Sequence, residues 1–325
     1  MEKKDLFLGV DTGGTAVKFV VTDAAGCILE KGEVPTDTGS IISSMQSLRN
    51  AVAKALGGEP GLPRLAAVGM ACAGIVNPAT GMLGRSPNLP GWEDRNLAAD
   101  IKTVFEDVPL ALVNDVNGAL YGEFRQGVGR GYKNLVMIAL GTGVGGGVII
   151  QGELVVGTNS GAGEIGHMVL DPAGPPCTCA GRGCLEAWAG STGLLRRARE
   201  VAGERDPQSA LANLVSSRGK ALNTQDLAAL ARQGDADAAG IFDVAGRRLG
   251  QAIGNIVNLL DPDRIIIGGG VAQAGDLILD PCRATVPGLV LAREARNIPV
   301  VTAELGPLAA AVGAACLARE MEQAG

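Results

Sequence analysis

Apolar and polar positions along this chain alternate between two periods. Residues 6–10 and 17–22 are short apolar runs of strand type, joined by the turn DTGGTA. Ile41, Ile42, Met45, Leu48, Val52 and Leu56 then recur at helical spacing, and the pair Gly57 and Gly58 stops that helix. Further short buried strands are expected at 65–70 and 110–113, a helix over 117–126, and a strand over 135–140. From 191 to 260 the pattern is largely helical, with Thr224 as the expected N-cap of the segment DLAALARQ. A buried strand at 264–267 runs into three glycines, and a helix over 308–319 closes the chain. Strands alternating with helices predict α/β layers. No low-complexity linker interrupts the pattern, so a domain boundary here is a tight crossover.

One stretch is echoed by another. LGVDTGGTAVKFVV near the start resembles MIALGTGVGGGVII, which begins at Met137. Each has a buried strand, a Thr-Gly turn with extra glycines, and a second apolar strand. The pair predicts two related α/β halves facing each other across a cleft. Glycines in such turns leave backbone N–H groups uncovered, so a phosphate can come close. The alternative is that they only turn the chain. Two rival phosphate motifs fail. Gly141-x-Gly143-x-x-Gly146 has the dinucleotide spacing, with Glu164 near the required distance, but GVIIQGELVVG follows where that site needs a helix. The G-x-x-x-x-G-K-[ST] loop is absent from the sequence.

Composition narrows the function classes. A length of 325 residues suggests about two domains, and 46% hydrophobic residues supply a full core. Aromatics at 3% and a net charge of −6 argue against a nucleic acid or an acidic membrane as partner. No apolar run reaches transmembrane length, and MEKKDLFLGV enters a strand without a signal-peptide core. Of seven cysteines, Cys27, Cys72, Cys282 and Cys316 are scattered in apolar contexts, as core thiols in a reducing compartment are. A soluble, cytoplasmic protein is expected.

Candidate chemistry sits in two places. Asn114 and Asp115 follow the strand at 110–113, where α/β proteins place ligands. Asp115 is either an ordinary helix N-cap or, beside phosphate-binding turns, the carboxylate that orients an alcohol and accepts its proton. Asn114 is then able to bond a neighbouring hydroxyl. The second place is H-x9-C-x-C-x4-C, formed by His167, Cys177, Cys179 and Cys184. Three thiolates and an imidazole in one loop suit tetrahedral zinc; the alternative is a set of unliganded thiols. A full Cys3His set leaves no open position for water, which favours a structural ion. Its use would be to fix a Gly- and Pro-rich loop that presents Glu164 and Glu186 to sugar hydroxyls.

These residues, taken in order, resemble a known family. DTGGTAVK, AGIVNPATG with SPNLPGW, NDVNGALYGE, ALGTGVGGGVI, GAGEIGHM, CTCAGRGCLEAW and IIIGGGVA span nearly the whole length. The chain resembles a sugar kinase of the ROK family, within the sugar kinase and actin superfamily, most closely its bacterial glucokinases. The resemblance implies two α/β domains of ribonuclease H-like type around a central cleft. Their expected bounds are 1–115 with 306–325, and 116–305 with the zinc loop and a helical insertion. It implies that Asp115 is the catalytic base and that Gly74, Asn88, Asn114, Glu164, His167 and Glu186 line the sugar site, His167 sharing its ring between zinc and a hydroxyl. Thr12, Gly13, Thr142 and Gly143 would cradle the phosphates of ATP, Gly269 and Gly270 the adenosine, with Mg2+ near Asp11. Two residues depart from the family pattern. Ala180 replaces a glycine between the second and third cysteines, which strains the loop if φ is positive there. Trp188 replaces a smaller aromatic and is expected to alter the pocket wall.

The expected function is phosphorylation of a hexose by ATP, foremost glucose at its 6-hydroxyl. N-acetylmannosamine or N-acetylglucosamine is the next substrate class, and fructose or allose follows. A sugar-sensing repressor, which the same family contains, is disfavoured by the acidic charge and by a first strand that starts at Leu6. A homodimer or homotetramer is expected. Because zinc loop and phosphate turns look separate in sequence, loss of zinc should spare nucleotide affinity, and Gly143→Val should spare sugar binding.

Overall fold

The computed structural model describes residues 5–57, 65–86, 88–106, 108–292 and 297–324. Gly58 and Pro87, which the sequence reading used, lie outside them. The chain divides into two compact units: Met1–Tyr132 with Gly152–Ala162 and Ala303–Gly325, and Lys133–Gln151 with Gly163–Thr302.

The first unit opens with the strands β1 (Leu6–Thr12), β2 (Ala16–Thr22) and β3 (Ile28–Pro35). Helix α1 (Ile41–Ala55) follows, capped by Ser40 and turning Ile41, Met45, Leu48 and Val52 inward. Strand β4 (Leu65–Cys72), the short pair β5 (Met82–Leu83) and β6 (Arg95–Asn96), helix α2 (Leu97–Phe105), strand β7 (Leu110–Asn114) and helix α3 (Asp115–Gln126) complete this run. The sheet order is β3-β2-β1-β4-β7. β1 and β2 form an antiparallel hairpin, whereas β4 and β7 add on in parallel. Burial on both faces makes β1 a near-continuous apolar run, as expected for a central strand. β3 is mostly polar and half exposed at the edge, which is why its apolar period gave no signal.

The segment 152–162 carries the short strand β10 (Glu153–Leu154), which follows β8 (Leu135–Leu140) and β9 (Val144–Ile150) of the second unit. Within the second unit, β8 and β9 form an antiparallel hairpin, β11 (Arg264–Gly268) pairs in parallel with β8, and β12 (Val300–Thr302) in parallel with β11. The order of strand directions repeats that of the first unit, so the sequence echo is an echo of topology. The helices are α4 (Leu185–Ala189), α5 (Ser191–Glu204), α6 (Ala210–Arg218), α7 (Thr224–Arg232), α8 (Ala236–Leu260) and α9 (Asp276–Thr285). α8 is the spine, burying Ile241, Phe242, Leu249, Ile253 and Val257 along one stripe. The N-cap of α7 is Asn223 and not Thr224: the Asn223 carboxamide oxygen accepts from Asp226 N at 2.8 Å, one residue earlier than expected.

The chain returns to the first unit as α10 (Ala309–Ala324). α10 lies along α3 so closely that a Cβ on Gly313 would sit 1.8 Å from the carbonyl oxygen of Gly118. This packing explains why the division falls after Tyr132 and keeps α3, where the sequence reading placed it after Asp115. A second tie is Glu123, fully buried, whose carboxylate accepts from Val128 N at 3.0 Å and from Glu304 N and Leu305 N at 2.8 Å each. It joins the chain leaving α3 to the chain returning before α10.

Candidate functional site

In the first unit, the candidates gather at the C-terminal ends of β1, β4 and β7. Asn114 is the N-cap of α3: its carboxamide oxygen accepts from Val116 N at 2.9 Å and Asn117 N at 3.1 Å. Asp115 is therefore the first helical residue, and the capping alternative falls to its neighbour. The Asn114 amide group donates to Gly74 O at 3.0 Å and to Asp115 Oδ1 at 2.9 Å, and Val116 N adds a 3.0 Å bond to the same oxygen. Asn114 thus spends its polar atoms on orienting Asp115 and on holding Gly74, whose φ of +115° favours glycine. Asp11, at the end of β1, has its carboxyl pushed up to about 6 by burial and then by the charge of Asp115, against a weaker pull from Lys18.

The β1–β2 turn is braced locally. Thr12, fully buried, donates its hydroxyl to Ala71 O at 3.1 Å, and Thr36 donates to Gly13 O at 2.7 Å. Asn88 is exposed on a loop anchored by the buried Leu89 and Trp92, whose indole N–H donates to Asp37 O at 3.0 Å. A Cβ on Gly14 would meet Asn88 O at 2.7 Å, so that loop rests on the first hairpin.

In the second unit, Sγ of Cys177, Cys179 and Cys184 and a ring nitrogen of His167 lie within 4.8 Å of one another. His167 Nδ1 is 3.7 Å from Cys177 Sγ, and Cys179 Sγ is 3.8 Å from Cys184 Sγ. A tetrahedral ion with sulfur at about 2.3 Å and nitrogen at about 2.0–2.1 Å sets its ligands roughly 3.5–3.8 Å apart, so the donor set fits zinc. Nδ1 is then the ligand and Nε2 remains for another partner. Burial pushes the Cys177 thiol up to about 12 and raises Cys184, while the Gly181 backbone N–H lowers Cys179. Ala180 has φ of +67°, so the strain expected of a methyl group there is present. Trp188 stacks on the Arg248 guanidinium, 4.5 Å from its centroid, and backs the loop at Gly174. Its contacts therefore brace the metal loop from behind.

Glu186, in the first turn of α4, joins this loop to the second hairpin. Oε1 accepts from Thr178 Oγ1 at 2.6 Å, and Cys177 Sγ lies 3.5 Å from the same oxygen. Oε2 accepts from Val144 N at 3.1 Å, and a Cβ on Gly143 would sit 2.1 Å from it. The hairpin turn is held on its other side by the start of α5, where Ser191 N donates to Gly141 O at 2.9 Å and Thr192 Oγ1 to Thr142 O at 3.1 Å. Thr142 is exposed. Glu164 is exposed, and its carbonyl accepts from His167 N at 3.1 Å, which sets the turn carrying the imidazole. Gly269, with φ of +88°, passes against Leu140 O at the end of β8. Gly270 lines a cavity of about 170 Å³ with Thr224, Gln225, Ala228 and Arg232.

The model of the ROK family matches residues 7–321. The chain belongs to the ROK family. A glucokinase of Halalkalibacterium halodurans is 36% identical over 321 residues, covering 97% of this chain and 96% of that protein. The crystal structure of a ROK family glucokinase from Streptomyces griseus in complex with glucose and AMPPNP is 34% identical, covers 97% of this chain and 99% of its own, and superposes with a TM-score of 0.79. The ROK hexokinase of Thermus thermophilus is 29% identical, covers 98% of this chain and 100% of its own, and gives 0.80. The two sheets with matching strand directions are the α/β fold of the sugar kinase and actin superfamily.

Sequence reasoning missed Thr36, Glu123, Thr178 and Thr192. Each acts through a hydroxyl or carboxylate whose partner is distant in sequence or set by a turn, and no periodicity marks such residues. NDVNGALYGE did contain Glu123, without a role for it.

Proposed function

We propose that the protein is a cytoplasmic, ATP-dependent glucokinase that transfers the γ-phosphoryl group of ATP to the 6-hydroxyl of glucose. The observation that carries the reading is the Asp115 carboxylate. It stands at the end of a parallel strand and is held by Asn114 Nδ2 and Val116 N, in a chain of the ROK family. A carboxylate with one oxygen fixed by two donors is oriented to take a proton from an alcohol. As the hydroxyl oxygen bonds to the γ-phosphorus, its proton passes to Asp115 and the bond to the β-phosphate oxygen breaks, leaving ADP. Thr12, Gly13, Thr142 and Gly143 offer turn backbone to the phosphates, and adenosine is assigned to Gly269 and Gly270, of which Gly270 lines the cavity beside α7. Mg2+ would enter with ATP, and Asp11, near the end of β1 beside the first turn, is the carboxylate that would hold it.

Gly74, Asn88, Asn114, Glu164, His167 and Glu186 form the sugar-binding set in this reading. Zinc held by His167 Nδ1 and the three thiolates would be structural, ordering the loop and leaving His167 Nε2 for a hydroxyl. The test is a coupled ADP-release assay over hexoses and N-acetylhexosamines. Glucose is expected to give the highest kcat/KM, and a higher value for N-acetylmannosamine would move the protein to that substrate class.

A further inference from the structure

We propose that Thr178 is a positioning residue. Its hydroxyl fixes the Glu186 carboxylate so that one oxygen serves the metal loop while the other holds the turn of the second hairpin. The inference rests on the reading of Glu186 as a sugar-binding group, and it adds the residue that aims it. An ionised carboxylate only accepts hydrogen bonds, so its direction is set by the donors around it. The described contacts give Oε2 the Val144 N–H at 3.1 Å and give Oε1 two candidates, the Thr178 hydroxyl at 2.6 Å and Cys177 Sγ at 3.5 Å. A thiol is a weak donor and a hydroxyl a strong one, so Thr178 is the stronger side-chain donor among the described contacts to Oε1.

Its place in the chain suits this role. Thr178 stands between Cys177 and Cys179, so an ion bound by both pins its backbone. The short O–H···O distance is that of a charge-assisted bond. The missing side chain of Gly143 gives the Glu186 carboxylate its place against the turn, since a Cβ there would come within 2.1 Å of Oε2. Metal loop, sugar acceptor and phosphate turn are thereby linked by one carboxylate, and the hydroxyl of Thr178 sets the link.

The experiment compares wild type, Thr178→Val and Thr178→Ser. Valine keeps the shape and removes the donor, and serine keeps the donor. For each, zinc content, the KM for glucose and for ATP, kcat, and hydrogen exchange at the 141–145 amides are measured. Thr178→Val is expected to keep full zinc, raise the glucose KM about 5- to 20-fold, raise the ATP KM by less, and speed exchange at Val144; Thr178→Ser should restore all of these. Unchanged glucose KM and exchange in a zinc-loaded Thr178→Val protein would overturn the proposal. So would loss of zinc in that variant, or failure of serine to restore. If wild type phosphorylates no sugar, the glucokinase reading fails, and the exchange rate at Val144 alone decides whether Thr178 holds the link.

Discussion

The two glycine hairpins look alike in sequence and are supported differently. Aligned on their Thr-Gly pairs, Thr12 matches Thr142, Gly13 matches Gly143, and Asp11 stands opposite Gly141. The first turn is held by short hydroxyls, Thr12 donating to Ala71 O, 59 residues on, and Thr36 to Gly13 O. The second is held by the carboxylate of Glu186, 42 residues away from Val144, which is itself fastened to the metal loop. The first hairpin carries a titratable carboxylate and the second carries none. A shared turn motif thus predicts shared backbone geometry but says nothing of what holds it. The second hairpin is thereby tied to the loop of the candidate metal site, and the first is not. Metal loop and phosphate turn, which look separate in sequence, meet at Glu186.

The largest expected effect belongs to the group that neither hairpin supplies. Asp115→Asn should lower kcat by about 10²–10⁴-fold while glucose binding persists. Turnover near normal in the folded variant, measured by ADP release, would remove Asp115 from its assigned role. A sharper contrast comes from matched glycines. Gly143→Ala pushes a methyl group against Glu186, so it should raise the glucose constant roughly 10- to 100-fold together with that for ATP. Gly13→Ala meets only Ala16 O at 3.4 Å, an ordinary contact, and should weaken ATP alone. Equal patterns for the two variants would erase the difference between the hairpins.

The smallest effect is thermal. Asp11 has a folded pKa of about 6, above its unfolded value of 3.8, so the unfolded chain releases that proton first as pH rises. This group's contribution to stability therefore falls between about pH 4 and pH 6 and stays lost above that. Asp11→Asn should raise the Tm of the ligand-free protein at pH 7.5 by about 2–6 °C, with the gain gone near pH 4. A gain that persists at pH 4 would mean the carboxylate's burial is not its source.

Much of this was readable because it is local. The strand-turn-strand echo, the Asn-Asp step at a strand end, and three thiols and an imidazole within one loop all lie within short windows. The edge strand β3 escaped because it is polar and half exposed. For Asn114 the sequence suggests a ligand group, and its further part as the cap of α3 and the holder of Asp115 shows only in the folded chain. The contacts of Trp188 with Arg248 and with the loop at Gly174 are likewise made by the fold and not marked in the sequence. The Thr178–Glu186–Val144 link could not be seen at all, since it joins residues whose proximity only the folded unit creates.

The most direct measurement is on Cys184→Ala, with zinc content and titrations of glucose and of a non-hydrolysable ATP analogue made on one preparation. Structural zinc contributes about 10–16 kcal/mol of apparent binding energy in small peptides, more than a Gly- and Pro-rich loop can replace. The account predicts that zinc is lost, that glucose affinity falls by more than about 100-fold, and that nucleotide affinity falls by a smaller factor through the freed Val144 turn. Loss of zinc with normal glucose binding would contradict it.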